Sequence, residues 1–188
     1  MRIVAVADTH TFEAELGPIP DGDVFVHAGD LIRRGTLDEL AGVAAWIRGL
    51  PHRHKLVIAG NHDWCFARAR AAACALLGPG VIYVEDEAVE VGGARVYGSP
   101  WQPAYMDWAY NLPRGAALAA KWARIPTGLD VLVTHGPPRP ARSRRSRSRR
   151  RAGRARRCAD RFSQARCKIA PRPRRSAARQ RRHRRART

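Results

Sequence analysis

Three short runs of mainly β-branched and apolar residues, at 3–7, 24–27 and 56–59, each give way to residues that can do chemistry. The first leads into Asp8-Thr9-His10, the second into Ala28-Gly29-Asp30, and the third into Gly60-Asn61-His62-Asp63. Short apolar runs rich in Val and Ile read as buried strands. Helices alternate with them. Thr36-Leu37-Asp38-Glu39 has the form of a capping box, and Leu37, Leu40, Val43, Ile47 and Leu50 recur at helical spacing. A second helix is expected over residues 64–77, stopped by Gly78-Pro79-Gly80. The chain is thereby held to an α/β architecture, in which ligand sites form beyond the carboxyl ends of the strands.

From residue 81 onward the expected strands are shorter and meet in tight turns: 81–84, 88–91 and 94–97, with Gly92-Gly93 as a hairpin turn. Residues 98–103, rich in Trp and Pro, read as a rigid loop, and 114–123 as a short helix. A last strand over 131–134 ends at His135-Gly136. No internal repeat is present.

Asp8, His10, Asp30, Asn61 and His135 therefore all stand at strand ends. They form a mixed oxygen and nitrogen donor set with no thiolate, suited to iron, manganese or zinc. Asp8 and His10, two residues apart, would share one face of an extended chain. Asp30 could bridge two ions, and Asn61 offers a neutral amide oxygen. His62 is placed to protonate a leaving group, and Asp63 to orient His62. Gly29 and Gly60 would let the backbone turn tightly below them. Polar residues at strand ends commonly just satisfy turns, but four such blocks in order favour a shared role. His27, alternating with Val24 and Val26, reads as a structural histidine, and His52 and His54, flanking Arg53, as surface residues.

The blocks Asp8-Thr9-His10, Gly29-Asp30, Gly60-Asn61-His62-Asp63 and Thr134-His135-Gly136 resemble, in order and separation, those of calcineurin-like metallophosphoesterases. Leu50-Pro51-His52, the 97–103 stretch and Trp108-Ala109-Tyr110-Asn111-Leu112-Pro113-Arg114-Gly115 are similar to the metallophosphoesterase-domain-containing, phosphodiesterase-type subfamily. The resemblance covers residues 1–138. It implies a four-layer α/β/β/α sandwich, two divalent metal ions (manganese, iron or zinc) and hydrolysis of a phosphoester or cyclic phosphodiester, with a small-molecule or nucleotide substrate. Asp8, His10 and Asp30 would hold one ion, and Asp30, Asn61 and His135 the other. The family pattern also has a later Gly-His-x-His block, and this sequence has no match to it. His183, the one histidine after His135, lies among arginines. Its lack implies weaker metal binding and lowered activity in this chain.

Charge divides the sequence at the same place. Residues 1–137, read as the phosphoesterase domain lacking its C-terminal elements, carry 12 Lys and Arg against 15 Asp and Glu; the 51 residues after them carry 23 against one. Residues 138–188 are Arg-rich low complexity, expected to be disordered. They admit three readings: a nucleic-acid-binding element acting through phosphate contacts on a non-catalytic scaffold, a solvated extension, or an out-of-frame translation of a GC-rich gene. The last is favoured, because composition breaks where the family pattern calls for more fold. Four cysteines without CxxC spacing, a strand-like start and no apolar stretch near the roughly 20 residues that span a bilayer lead to the expectation of a cytoplasmic protein without membrane contact.

Overall fold

The computed structural model describes residues 1–136, so the expectation of a disordered tail over 138–188 lies outside the described residues. In chain order the elements are β1 (Ile3–Val6), β2 (Val24–Ala28), α1 (Leu37–Gly49), β3 (His54–Ile58), α2 (Trp64–Leu77), β4 (Val81–Tyr83), β5 (Glu87–Val91), β6 (Ala94–Ser99), β7 (Gln102–Pro103), β8 (Asn111–Leu112), α3 (Ala116–Trp122) and β9 (Val131–Thr134). Strands β1 to β4 form one sheet in that order, all neighbours parallel, with α1 as the crossover from β2 to β3 and α2 from β3 to β4. A second sheet runs β5-β6-β9, antiparallel across the Gly92-Gly93 hairpin and parallel between β6 and β9.

Burial explains why the first sheet was readable as continuous apolar runs. Every residue of β2 is buried. Phe25 faces α1 and α2 in a core with Leu40, Val43, Ile47, Phe66 and Leu77, while Val24, Val26 and Ala28 face the second sheet and meet Val91, Val96, Val131 and Val133. On the far side of the second sheet Tyr97 is also buried. There Asp86 accepts hydrogen bonds from Ser99 Oγ at 3.0 Å, Trp101 Nε1 at 2.8 Å and Lys121 Nζ of α3 at 2.9 Å. The layering is that of an α/β/β/α sandwich. Among the described residues no helix is long and apolar enough to cross a membrane.

Three local expectations change. The capping box is half formed: Thr36 Oγ1 accepts the Glu39 N–H at 3.2 Å, but the Glu39 carboxylate accepts from Arg34 N at 2.8 Å, tying down the loop before the helix. Two residues of the expected rigid loop, Gln102 and Pro103, instead pair with Asn111 and Leu112. His52, read as a surface residue, is buried against Phe25 and donates from Nε2 to the Pro20 carbonyl at 3.0 Å. Its neighbour His54 opens β3. The α1–β3 connection packs onto the segment before β2, which no periodicity signals.

His27 is the buried structural histidine its position suggested. Thr9 Oγ1 lies 3.3 Å from the Leu31 carbonyl and 3.0 Å from His27 Nε2. Since Thr9 donates its one proton to Leu31, it accepts from Nε2–H of His27. Complete burial pushes the His27 ring down to about 3, so it stays neutral. The sign of the linkage follows: below pH 6.5 the unfolded chain takes up a proton that the folded chain refuses, and stability falls with falling pH. The expected loss from this residue is on the order of 2 kcal/mol at pH 5. Denaturant unfolding should therefore show His27→Gln losing less stability than the wild type between pH 7 and 5. Equal slopes would remove His27 as the source.

Candidate metal centre

The loops that leave β1, β2 and β3 are knitted together past the ends of the sheet. Asp8 N donates to Gly29 O at 3.0 Å, His10 N to Asp30 O at 3.1 Å and Thr11 N to Leu31 O at 2.9 Å. To make these bonds the chain enters the left-handed region at Asp8 (φ 56°), His10 (φ 48°), Thr11 (φ 66°) and Asp30 (φ 56°). Each such residue costs roughly 1–2 kcal/mol, least for Asp, and strain of this kind gathers at functional sites. The expectation that Asp8 and His10 share a face of an extended chain is thus corrected. They leave β1 through left-handed turns and diverge.

Each of the three histidines is fixed by a backbone carbonyl at Nδ1. His135 donates to Ala28 O at 3.0 Å, His10 to Ile32 O at 3.3 Å and His62 to Arg33 O at 2.9 Å. All three acceptors follow or end β2. A ring whose Nδ1–H is committed in this way presents a lone pair or a proton only at Nε2. Between two of the rings stands Asp30: His10 Nε2 is 3.6 Å from Oδ2, and His135 Nε2 is 3.4 Å from Oδ1. The His62 backbone N–H also donates to Asp30 Oδ1, at 2.8 Å. Asn61 Oδ1 lies 3.1 Å from His135 Nε2.

Two groups of donor atoms result, Asp8 with Asp30 and His135, and His10 with Asp30 and His62, the atoms of each lying within 4.8 Å of one another. Asp30 is common to both, and Asn61 lies beside His135. Asp8, however, is seated beside His135 rather than with His10, and His62 comes within reach of His10. The site fits a cation by a direct observation: Asp8 Oδ2 is buried and has no hydrogen-bond partner among the described residues. Burial raises the Asp8 carboxyl above its ordinary range. Burial alone would depress His135, but the Asp30 carboxylate beside it overrides that and raises it. Two carboxylates held out of water in this way need positive charge nearby. The close approach is possible because residue 60 is glycine: a Cβ there would collide with the backbone and carboxylate of Asp30, and with His135 Cε1 at 2.8 Å.

Asp63 does not do the work the sequence suggested. It is fully buried, and its oxygens accept from Gly60 N at 2.7 Å, Ile32 N at 3.1 Å and Leu31 N at 3.3 Å. The His62 ring is held by Arg33 O instead, so Asp63 joins the β2 and β3 loops rather than orienting the histidine. Burial raises its pKa, against the Gly60 and Ile32 amides that would lower it. Sequence reasoning also missed Trp108, whose ring stacks on His62 at 4.0 Å between centroids and 29° between planes. The one signal pointing to it was the Trp-containing block quoted in the resemblance.

The comparisons with known proteins agree with this geometry. The family model for calcineurin-like phosphoesterases matches residues 1–166, running past the 138 residues of the resemblance. Metallophosphoesterase domain-containing protein 1 of Homo sapiens is 40% identical over 159 aligned residues, covering 73% of this chain and 48% of its own length. UPF0046 protein C25E10.12 of Caenorhabditis elegans is 37% identical over 153, covering 73% and 54%. The chain thus spans about half the length of these curated relatives. Strand-end loops that gather two carboxylates, an amide and three histidines, in a chain matched by the family model over most of its length, lead to one conclusion: the chain belongs to the calcineurin-like phosphoesterase family.

Proposed function

We propose that this protein hydrolyses a phosphoester or cyclic phosphodiester of a small molecule or nucleotide, with a pair of divalent ions held around Asp30. The observation that carries the reading is the placement of one carboxylate between two histidines, with a different oxygen facing each Nε2. Asp30 would be shared, His10 would serve one ion, Asn61 and His135 the other, and Asp8 would complete the anionic half. Iron, manganese or zinc suits such donors. Bound ions of this kind supply a water of lowered pKa and screen the charge of the ester. The residues do the rest. The carbonyls of Ala28 and Ile32 keep the ring nitrogens aimed, and Asp63 keeps the two loops in register. His62, half-buried at the edge of the site, is the acid: with Nδ1–H given to Arg33 O, its Nε2 is the atom that can pass a proton to the leaving oxygen.

Titration of the metal-free protein with manganese in a calorimeter should give two ions per wild-type chain, and Asp30→Ala should weaken both by at least tenfold. Hydrolysis of bis(4-nitrophenyl) phosphate should fall at least a hundredfold in the same variant. If Asp30→Ala binds one ion normally, the shared carboxylate is wrong. His62→Ala should keep both ions while losing rate on an ester whose leaving group needs a proton, such as a methyl ester, and loss of an ion there would make His62 a ligand instead. Asp63→Asn, which leaves buried amides short of an acceptor, should cost about 1–3 kcal/mol of stability in denaturant unfolding. An unchanged midpoint would count against the loop-joining role.

A second reading rests on charge alone: the 23 basic residues against one acidic after residue 137 would bind nucleic acid while the scaffold stays non-catalytic. Binding to DNA should then fall steeply with salt, ignore chelators, and vanish when residues 139–188 are deleted. Salt-independent binding would rule it out.

A further inference from the structure

The segment between β7 and β8 crosses the rim of the site and is fastened at several points, one of them the ring of His62. The Trp108 ring lies on the His62 ring. The Ala109 N–H donates to the Asn61 carbonyl at 3.0 Å, and the Tyr110 carbonyl accepts from Gln102 N at 3.0 Å. Tyr110 is buried, and its hydroxyl donates to Glu85 Oε2 at 3.1 Å, an oxygen that also accepts from Tyr83 at 2.6 Å. Asn111 Nδ2 reaches back to the carbonyls of Tyr105 at 3.0 Å and Met106 at 3.2 Å, closing the loop on itself. Tyr105 and Met106 at the tip are exposed, so the buried end at Tyr110 holds the loop down while its tip stands in solvent.

His62 has otherwise few restraints. Its ring is fixed by one hydrogen bond, to Arg33 O, and touches His10 edge-on at 4.6 Å. A single hydrogen bond still permits rotation about its own axis, whereas a stacked face removes that freedom. Such aromatic stacking contributes about 0.5–1.5 kcal/mol beyond buried area, which is a factor of roughly two to ten in the population of one ring orientation. Resting on the role of His62 given above, we infer that Trp108 is a positioning residue for that acid: by covering one face of the imidazole it keeps Nε2 directed at the leaving oxygen.

The test compares the full chain with Trp108→Leu, Trp108→Phe and His62→Ala, loaded with manganese, on two esters: one with a 4-nitrophenyl leaving group, which departs without a proton, and one with a methyl leaving group, which needs one. Trp108→Leu should lose about tenfold in kcat on the methyl ester and less than twofold on the nitrophenyl ester, following the pattern of His62→Ala. Trp108→Phe should restore most of the loss. Manganese affinity should be unchanged in both Trp108 variants. In parallel, NMR relaxation of the histidine rings, with zinc in place of manganese, reads the mobility of the His62 imidazole: ordered in the wild type and Trp108→Phe, and mobile in Trp108→Leu. Equal losses on both esters, or unchanged His62 ring mobility in Trp108→Leu, would overturn the inference. If the wild type hydrolyses neither ester, the catalytic reading fails by itself, and the NMR comparison still decides whether Trp108 fixes the ring.

Discussion

The carbonyl oxygens at the exit of β2 are what the site depends on. Ala28, Ile32 and Arg33 each take the Nδ1–H of a different histidine, and those histidines come from the loops after β1, β3 and β9. A backbone carbonyl is a better clamp than a side chain here, because its position is set by the main chain and carries no rotamer freedom of its own. One stretch of main chain thereby fixes which nitrogen of each ring faces the centre. Asp63, accepting from Leu31, Ile32 and Gly60, holds that stretch in place from below.

Against this stands the energetic cost of the centre itself. Two carboxylates are drawn out of water, one with an oxygen that finds no partner among the described residues, and four residues adopt left-handed backbone. Neither would persist on local preferences. They persist because β2 and the carboxyl end of β3 are buried on both faces, with about 25 cal/mol gained for each Å² of apolar surface removed from water, and because the loop amides are bonded in register.

The division between what could and could not be read from the sequence follows the same line. β2 and β3 were legible because burial on two faces demands unbroken apolar residues such as Val24, Phe25 and Val26, and α1 because one buried face demands Leu40, Val43 and Ile47 at helical spacing. Asp8, His10, Asp30, Asn61 and His135 were legible as a set because they stand at the ends of those strands. The relations among them were not. That Asp8 turns toward His135 depends on left-handed torsions that no residue pattern encodes, that Asp63 serves amides depends on how two loops pack, and that Trp108 meets His62 depends on a loop anchored at Tyr110. His52 was misread for a related reason: loop packing buries it, and loops lack periodicity.

His135 and the Ala28 carbonyl that holds it are 107 residues apart in sequence, and they belong to different sheets. Contacts of that separation close late, since the chain must lose the entropy of a long loop before anything is gained from them. The first sheet with its two helices can assemble from neighbouring segments, but a centre with all its donors exists only after β9 has docked beside β6 and the sheets have met face to face. Until β9 docks, Asp30 would face His10 and His62, but neither it nor Asp8 would have His135 beside it.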